Sequence, residues 1–381
     1  MTFEPADRVD AVPPSGIRRF FELAEEMDDI ISLGVGEPDF SAPWAAREAA
    51  ITSLERGQTS YTANRGKREL RERIAGYEDE RHGLSYDPDD EILVTAGASE
   101  GLDLAFRALL DPGDSIAVAQ PCYVSYVPGA TFAGVNVVDV PTRVEDEFKL
   151  TREVLEDSGA AEADALVYCY PNNPTGATMT GEELREVAAF CRENDLVVFA
   201  DEIYADLTYE HDHTSIATLP GMRERTVVFN GFSKAFAMTG FRLGYAMGPP
   251  EAVEAMNRVH QYTMLSAPTT AQYAAIEALD NCWEDVEEMT SQYDRRRNYV
   301  LSRLRGMGLD CFPAAGAFYA FPECPWDDAN EFAEALLQSE GVAVVPGTAF
   351  GEGGDGHLRL SYATGLDDLK EAMNRMESFL Q

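Results

Sequence analysis

Lysine is almost missing from this chain. Its 381 residues include four, Lys67, Lys149, Lys234 and Lys370, and all the bases together number 30 against 67 acids, a formal charge of −37. So little positive charge argues against nucleic acid or an anionic membrane as partner, since both demand a basic surface. The acids are spread along the whole length, with no tail of like charge. They read as a solvated acidic surface of the kind that suits high salt, where counterions screen the repulsion. Cysteine is also sparse. Cys122, Cys169, Cys191, Cys282, Cys311 and Cys324 show no paired spacing, and several lie in apolar runs, so buried thiols in a reducing compartment are expected. No apolar run is long enough to span a bilayer, and residues 1–7 have neither a basic start nor an apolar core, which points to the cytoplasm. His211 and His213 lack further ligands at a metal-binding spacing, so a surface loop and no metal are expected there.

What is present is a globular pattern, 45% hydrophobic, long enough for two domains. Residues 9–15 carry two prolines and read as an extended arm. Ile17, Phe20, Phe21 and Ala24 then recur at helical spacing. An apolar strand broken by glycines follows at 30–40, and helices at 44–54 and 67–80. From 91 onward strands and helices alternate, with strands at 91–95, 115–119, 135–140, 165–169, 196–200, 226–229 and 243–247. Short, nearly continuous apolar strands between helices imply an α/β fold around a mainly parallel seven-stranded sheet, with ligands at the strand C-terminal ends. A long charged helix at 283–305, followed by further strands and helices, implies a smaller α+β domain.

Several residues carry chemistry in this pattern. Lys234 sits on a small, apolar background, where removal from water and neighbouring cations lower an ammonium pKa and let the amine form a Schiff base with an aldehyde. The alternative is a lysine that snorkels from a strand end. Gly97-Ala98-Ser99 joins a strand to a helix, which makes either a phosphate site at a helix N-terminus or an ordinary cap by Ser99. Tyr123 could stack on a flat ring. Asp201 ends an apolar strand and needs a cationic partner to stay charged, unless it caps a helix. Arg359 alternates with leucines on a strand and could hold a carboxylate by two parallel bonds, or lie at the surface. Gly36 lets a backbone N–H approach a ligand, or simply makes a turn.

The segment Gly-Phe-Ser-Lys (231–234) followed by Met-Thr-Gly-Phe-Arg (238–242) resembles the pyridoxal-phosphate attachment segment of class I and II aminotransferases, of fold type I. Pro-Asn-Asn-Pro-Thr-Gly (171–176) and His-Leu-Arg-Leu-Ser-Tyr (357–362) are similar to further segments of that family, in its order. The resemblance implies that Lys234 carries pyridoxal 5'-phosphate and moves the proton. Asp201 pairs with the ring nitrogen, Tyr204 reaches the ring hydroxyl, and Asn173 lies near the ring. Arg242, Ala98, Ser99 and Ser233 contribute to cofactor binding, and Tyr123 stacks on the ring. Gly36, Tyr123, Asn173 and Arg359 meet the substrate, with Arg359 gripping its α-carboxylate. Tyr61 is matched to a tyrosine that reaches the cofactor of a neighbouring subunit, so a homodimer with shared sites is implied. The division implied is an N-terminal arm and part of the small domain at 1–43, a large domain at 44–279 and the rest of the small domain at 280–381.

The activity implied is ping-pong transfer of an amino group from aspartate, glutamate or an aromatic amino acid to a 2-oxo acid such as 2-oxoglutarate. A β-lyase of the same fold would use the same residues. A non-catalytic ligand-sensing module is the remaining alternative, and no room is expected for the DNA-binding domain it would need, since the acidic chain begins within a few residues of its small domain. Where some related aspartate aminotransferases place a lysine for the distal carboxylate, this chain has Ser99. Arg18 or Arg19 could compensate if the N-terminal arm folds over the site.

Overall fold

The apolar runs condense into a sheet whose strands end at one side. The computed structural model describes residues 3–14, 16 and 29–381. The first strand, β1 (Ile31–Ser32), stands apart from the main sheet. The main sheet comprises β2 (Ile92–Thr95), β3 (Ser115–Gln120), β4 (Asn136–Pro141), β5 (Ala165–Cys169), β6 (Val197–Asp201), β7 (Thr226–Gly231) and β8 (Gly244–Met247). Their spatial order is β2-β8-β7-β6-β5-β3-β4. Neighbours from β4 to β7 run parallel, and β8 is antiparallel to both its neighbours.

Every residue of β2, β5 and β7 is buried, as expected of strands covered on both faces. Each large apolar side chain enclosed this way contributes about 1.5–3 kcal/mol relative to exposure. β4 lies at an edge, has only Val140 fully buried and ends in Pro141, whose missing N–H an edge tolerates. The helices Trp44–Glu55, Arg68–His82 and Trp283–Gly306 follow the sequence pattern within a residue or two at their ends, and Ala98–Leu109 and Gly181–Glu193 alternate with the strands. Gly181–Glu193 begins where its sequence says it should, with a capping box between Thr180 and Glu183.

The remaining strands are very short. β9 (Tyr319–Ala320), β10 (Val342–Ala343), β11 (Val345–Pro346) and β12 (Leu358–Ser361) make a three-stranded antiparallel sheet in the order β11-β12-β9, while β10 pairs in parallel with β1. Residues 30–40 therefore form a two-residue strand and then a glycine-rich turn, not a long strand, because their pairing partner β10 is itself only two residues long. The arm also departs from expectation, since Asp7–Asp10 closes a single helical turn. The helix read at Ile17 to Ala24, and with it Arg18 and Arg19, lies outside the described residues. Buried Arg296 on the long helix grips Asp39 with two bonds of 2.7 and 3.0 Å, which ties the glycine turn to the C-terminal part of the chain.

Candidate active site

The C-terminal ends of β5, β6 and β7 open on one cavity of about 480 Å³, and β12 closes it from the opposite side. Asp201, the last residue of β6, is buried at its base. It accepts a 2.6 Å bond from Tyr126 Oη and a 3.2 Å bond from the Ile203 N–H. No helix follows it, so the capping reading of Asp201 does not apply. Lys234 follows β7 on the segment Gly231–Lys234. Its Nζ donates to the Gly36 carbonyl at 2.8 Å. Gly36 must be glycine, since a Cβ there would lie 2.1 Å from Tyr319 Oη.

The phosphate-like corner comes from the turn between β2 and the helix Ala98–Leu109. Gly97, at φ 87°, is its N-cap, so Ser99 lies inside the first turn and is not the cap. Only glycine takes that left-handed conformation cheaply, and a Cβ would also press to 2.9 Å from Arg242 Nη2. Arg242 therefore stands against a helix N-terminus whose first N–H groups lack intrahelical acceptors, an arrangement made for an anion.

On the facing wall, Arg359 of β12 is buried. It donates to Asn173 Oδ1 at 2.9 Å and to the Gly34 carbonyl, and its Nε finds no acceptor among the described residues. A buried guanidinium with an unused N–H, opening on a cavity, fits a carboxylate ligand. The charged residues lining the cavity are Lys234, Arg242 and Arg359 against Glu37 and Asp201. The interior is thus biased positive in a chain of charge −37.

Burial shifts both central groups. It pushes the Asp201 carboxyl up to about 6 against the hydrogen bonds of Tyr126 and Ile203. It pulls the Lys234 ammonium down to about 8, with Arg359 and Arg242 adding to the fall and Glu37 and Asp201 opposing it. A cation beside Asp201 would relieve the first, and a protonated pyridine nitrogen is such a cation. The other three lysines are engaged elsewhere: Lys67 with Tyr273, Lys149 with Glu147 and Glu183, and Lys370 with Asp367.

Gly36, Ala98, Ser99, Tyr123, Asn173, Asp201, Tyr204, Ser233, Lys234, Arg242 and Arg359 all line this one cavity. Tyr61 does not. It is 80% exposed, on a separate surface hollow with Lys67, Thr269 and Tyr273. Sequence reasoning missed Tyr126 and Tyr319. The first was legible as the residue one helical turn after Tyr123, and the second as the lone hydroxyl in the apolar run 316–321. His213 is not a loose surface residue, since its Nε2 lies 3.0 Å from buried Glu202, while His211 meets Thr178 at 2.8 Å. Among the described residues no group of three or more side chains is arranged to hold a metal, and no helix is long and apolar enough to cross a membrane. The six cysteines are free, four of them buried and Cys311 and Cys324 partly so.

Residues 28–376 match the family model described as aminotransferase class I and II, and the chain belongs to that family. It is 50% identical to a putative aminotransferase, YugH, of Bacillus subtilis, over 100% of this chain and 99% of that one. It is 43% identical to an aspartate aminotransferase of Pyrococcus abyssi, with 99% and 98% covered. The solved structure of an aromatic aminotransferase from Pyrococcus horikoshii superposes with a TM-score of 0.90 at 43% identity, covering 96% of this chain and 98% of that one. The fold is that of the fold type I enzymes, which depend on pyridoxal phosphate, and this chain is an aminotransferase acting on amino acids and 2-oxo acids. The paired Asp201, the amine of Lys234 and the anion corner at Arg242 fit that cofactor.

Proposed function

We propose that this enzyme moves amino groups between amino acids (aspartate, glutamate and aromatic ones) and 2-oxo acids, with 2-oxoglutarate as acceptor from aspartate and the aromatic donors, and with Lys234 as the residue that holds the cofactor and moves the proton. Pyridoxal phosphate, when bound, supplies an aldehyde and an electron-withdrawing ring. Asp201 would keep the ring nitrogen protonated, Tyr204 would face the ring hydroxyl, Asn173 would lie near the ring, and Tyr123 would cover a ring face. Arg242, Ala98, Ser99 and Ser233 would hold the phosphate end. Arg359 and the Gly36 turn would seat the substrate α-carboxylate. Lys234, as a free amine, would take a proton from the substrate Cα and return it two bonds away, at the carbon that brought the aldehyde. A pKa near 8 suits that exchange, because acid and base forms are then both accessible near neutral pH. The observation that carries the reading is the convergence of Lys234, Asp201 and Arg359 on one cavity.

The donor range rests on Ser99, a neutral side chain where a cation would favour aspartate, and on the apolar continuation of the cavity past Tyr123 along Leu102, Phe106 and Val127. The names of the relatives include both aspartate and aromatic enzymes. We further place the enzyme in the cytoplasm as a homodimer in which exposed Tyr61 serves the partner's site. The division into 1–43 with 280–381 and 44–279 follows the two groups of strands. Glutamate formed from 2-oxoglutarate in step with donor consumed, without ammonia, is the expected result, and ammonia release would instead mark a lyase. An aspartate preference over tyrosine and phenylalanine above about a hundredfold in kcat/KM, roughly 2.7 kcal/mol, would overturn the broad donor range.

A further inference from the structure

Tyr319 enters the cavity from the small sheet, and its hydroxyl lies 2.8 Å from Tyr204 Oη on the other wall. Both tyrosines are buried, and among the described residues each hydroxyl has the other as its only hydrogen-bond partner. Two O–H hydrogens share one bond, so one of them is left to find an acceptor in the cavity. Which one depends on which phenol is the better donor. Burial raises both phenols above the ordinary range. The Arg359 guanidinium lies 4.7 Å over the Tyr319 ring and favours release of its proton, whereas the cation over the Tyr204 ring, Lys234, stands farther off at 5.8 Å.

The surroundings do not reverse this order. Around Tyr204 stand Cys169, Arg359 and Lys234, the last 5.8 Å from its ring, and around Tyr319 stand Arg359, Cys169 and Tyr123. The more acidic partner donates. Tyr319 is also fixed by its backbone, since it pairs with Ser361 in the ladder of β9 and β12 that carries Arg359.

We propose that Tyr319 is a positioning residue for Tyr204: its hydroxyl donates to Tyr204 Oη and so turns the Tyr204 O–H towards a ligand oxygen in the cavity. The inference rests on the reading that the cofactor's ring hydroxyl faces Tyr204. A phenol that accepts one hydrogen bond is the stronger donor of the next, so Tyr319 strengthens the hold of Tyr204 on an anionic oxygen. Because Arg359 governs the acidity of Tyr319, a carboxylate that neutralises Arg359 weakens this hold. Substrate binding at one end of the cavity is thereby felt at the other.

The test is the pH titration of the visible absorbance of the pyridoxal-phosphate-loaded enzyme. Tyr319→Phe removes one oxygen and keeps the ring contacts with Phe318, Tyr204 and Arg359. Its titration midpoint should move up by roughly half a pH unit, since a donor to the charged form has been weakened. Tyr204→Phe should move it further, and the double variant no further than Tyr204→Phe alone. An unchanged midpoint in Tyr319→Phe, beside a clear shift in Tyr204→Phe, overturns the proposal and leaves Tyr319 as packing. An unchanged midpoint in both variants overturns the facing of Tyr204 to the cofactor, and the proposal with it.

Discussion

Inside the cavity, Lys234, Asp201 and Arg359 are withdrawn from water beside the more exposed Arg242 and Glu37, whereas outside it pairs such as Arg68–Glu72 and Arg107–Asp103 sit in water with side chains 42–66% exposed. The buried inner groups are few, and burial raises the proton affinity of Asp201 and lowers that of Lys234 and Arg359. The outer ones are many, and each exposed pair is worth about 0–1 kcal/mol. The same kind of charge is therefore decisive one by one in the interior and matters only in sum at the surface.

Lys234→Ala should lower kcat/KM by about 10⁴-fold or more, as loss of a general acid and base alone costs up to that much. Residual turnover within tenfold of the parent would remove Lys234 from the chemistry. Mixed with Tyr61→Ala subunits, the inactive Lys234→Ala protein should regain activity in heterodimers, and no recovery would count against shared sites.

Arg359→Leu should cost roughly a hundredfold in kcat/KM, the worth of a charge-assisted hydrogen bond, with most of the loss in KM. A fall in kcat at constant KM would mean that Arg359 does not hold the substrate.

Glu78 tests the interior away from the cavity. It is buried, accepts from Tyr245 Oη at 2.6 Å and Asn230 Nδ2 at 3.2 Å, and burial pushes it up to about 8. Because the folded value lies above the unfolded one near 4.5, the unfolded chain releases this proton first as the pH rises. The native state is unaffected below about 4.5, loses ground between 4.5 and 8, and carries the full penalty above 8. Glu78→Gln should therefore gain stability on the parent by a few kcal/mol between pH 5 and pH 8.5 in denaturant melts. A difference that does not change with pH would contradict the shift.

The smallest effect belongs to the surface, where screening a charge of −37 should raise the melting temperature by a few degrees from dilute buffer to molar KCl. A melting temperature indifferent to salt would show that the outer charges are already balanced among themselves.

The sequence spoke most clearly where local pattern and tertiary structure coincide. β5 reads as Ala-Leu-Val-Tyr-Cys and folds as those same residues, and Asp201 stands out because an acid ends an otherwise apolar run. The wall opposite was harder to read. β9, β10 and β11 are two residues each, too short to leave a periodic trace, and exist because distant segments supply their partners. Tyr319 was missed for that reason. Ser99 as a cap failed on conformation, since Gly97 alone takes the left-handed turn. The histidines misled because their partners, Glu202 and Thr178, lie on other elements.

The pairing of β1 with β10 has a bearing on synthesis. Ile31 and Ser32 find Val342 and Ala343 across most of the length of the chain, and the turn that follows β1 holds the Gly34 and Gly36 carbonyls that receive Arg359 and Lys234. On the ribosome the large sheet can close around Asp201 and Lys234 while this N-terminal turn still waits for a strand not yet made. Contacts so distant in sequence also form late when the whole chain refolds. The wall that carries Arg359 is thus the last part of the cavity to be completed, and a growing chain buries Asp201 and sets Lys234 in place well before the space around them is closed.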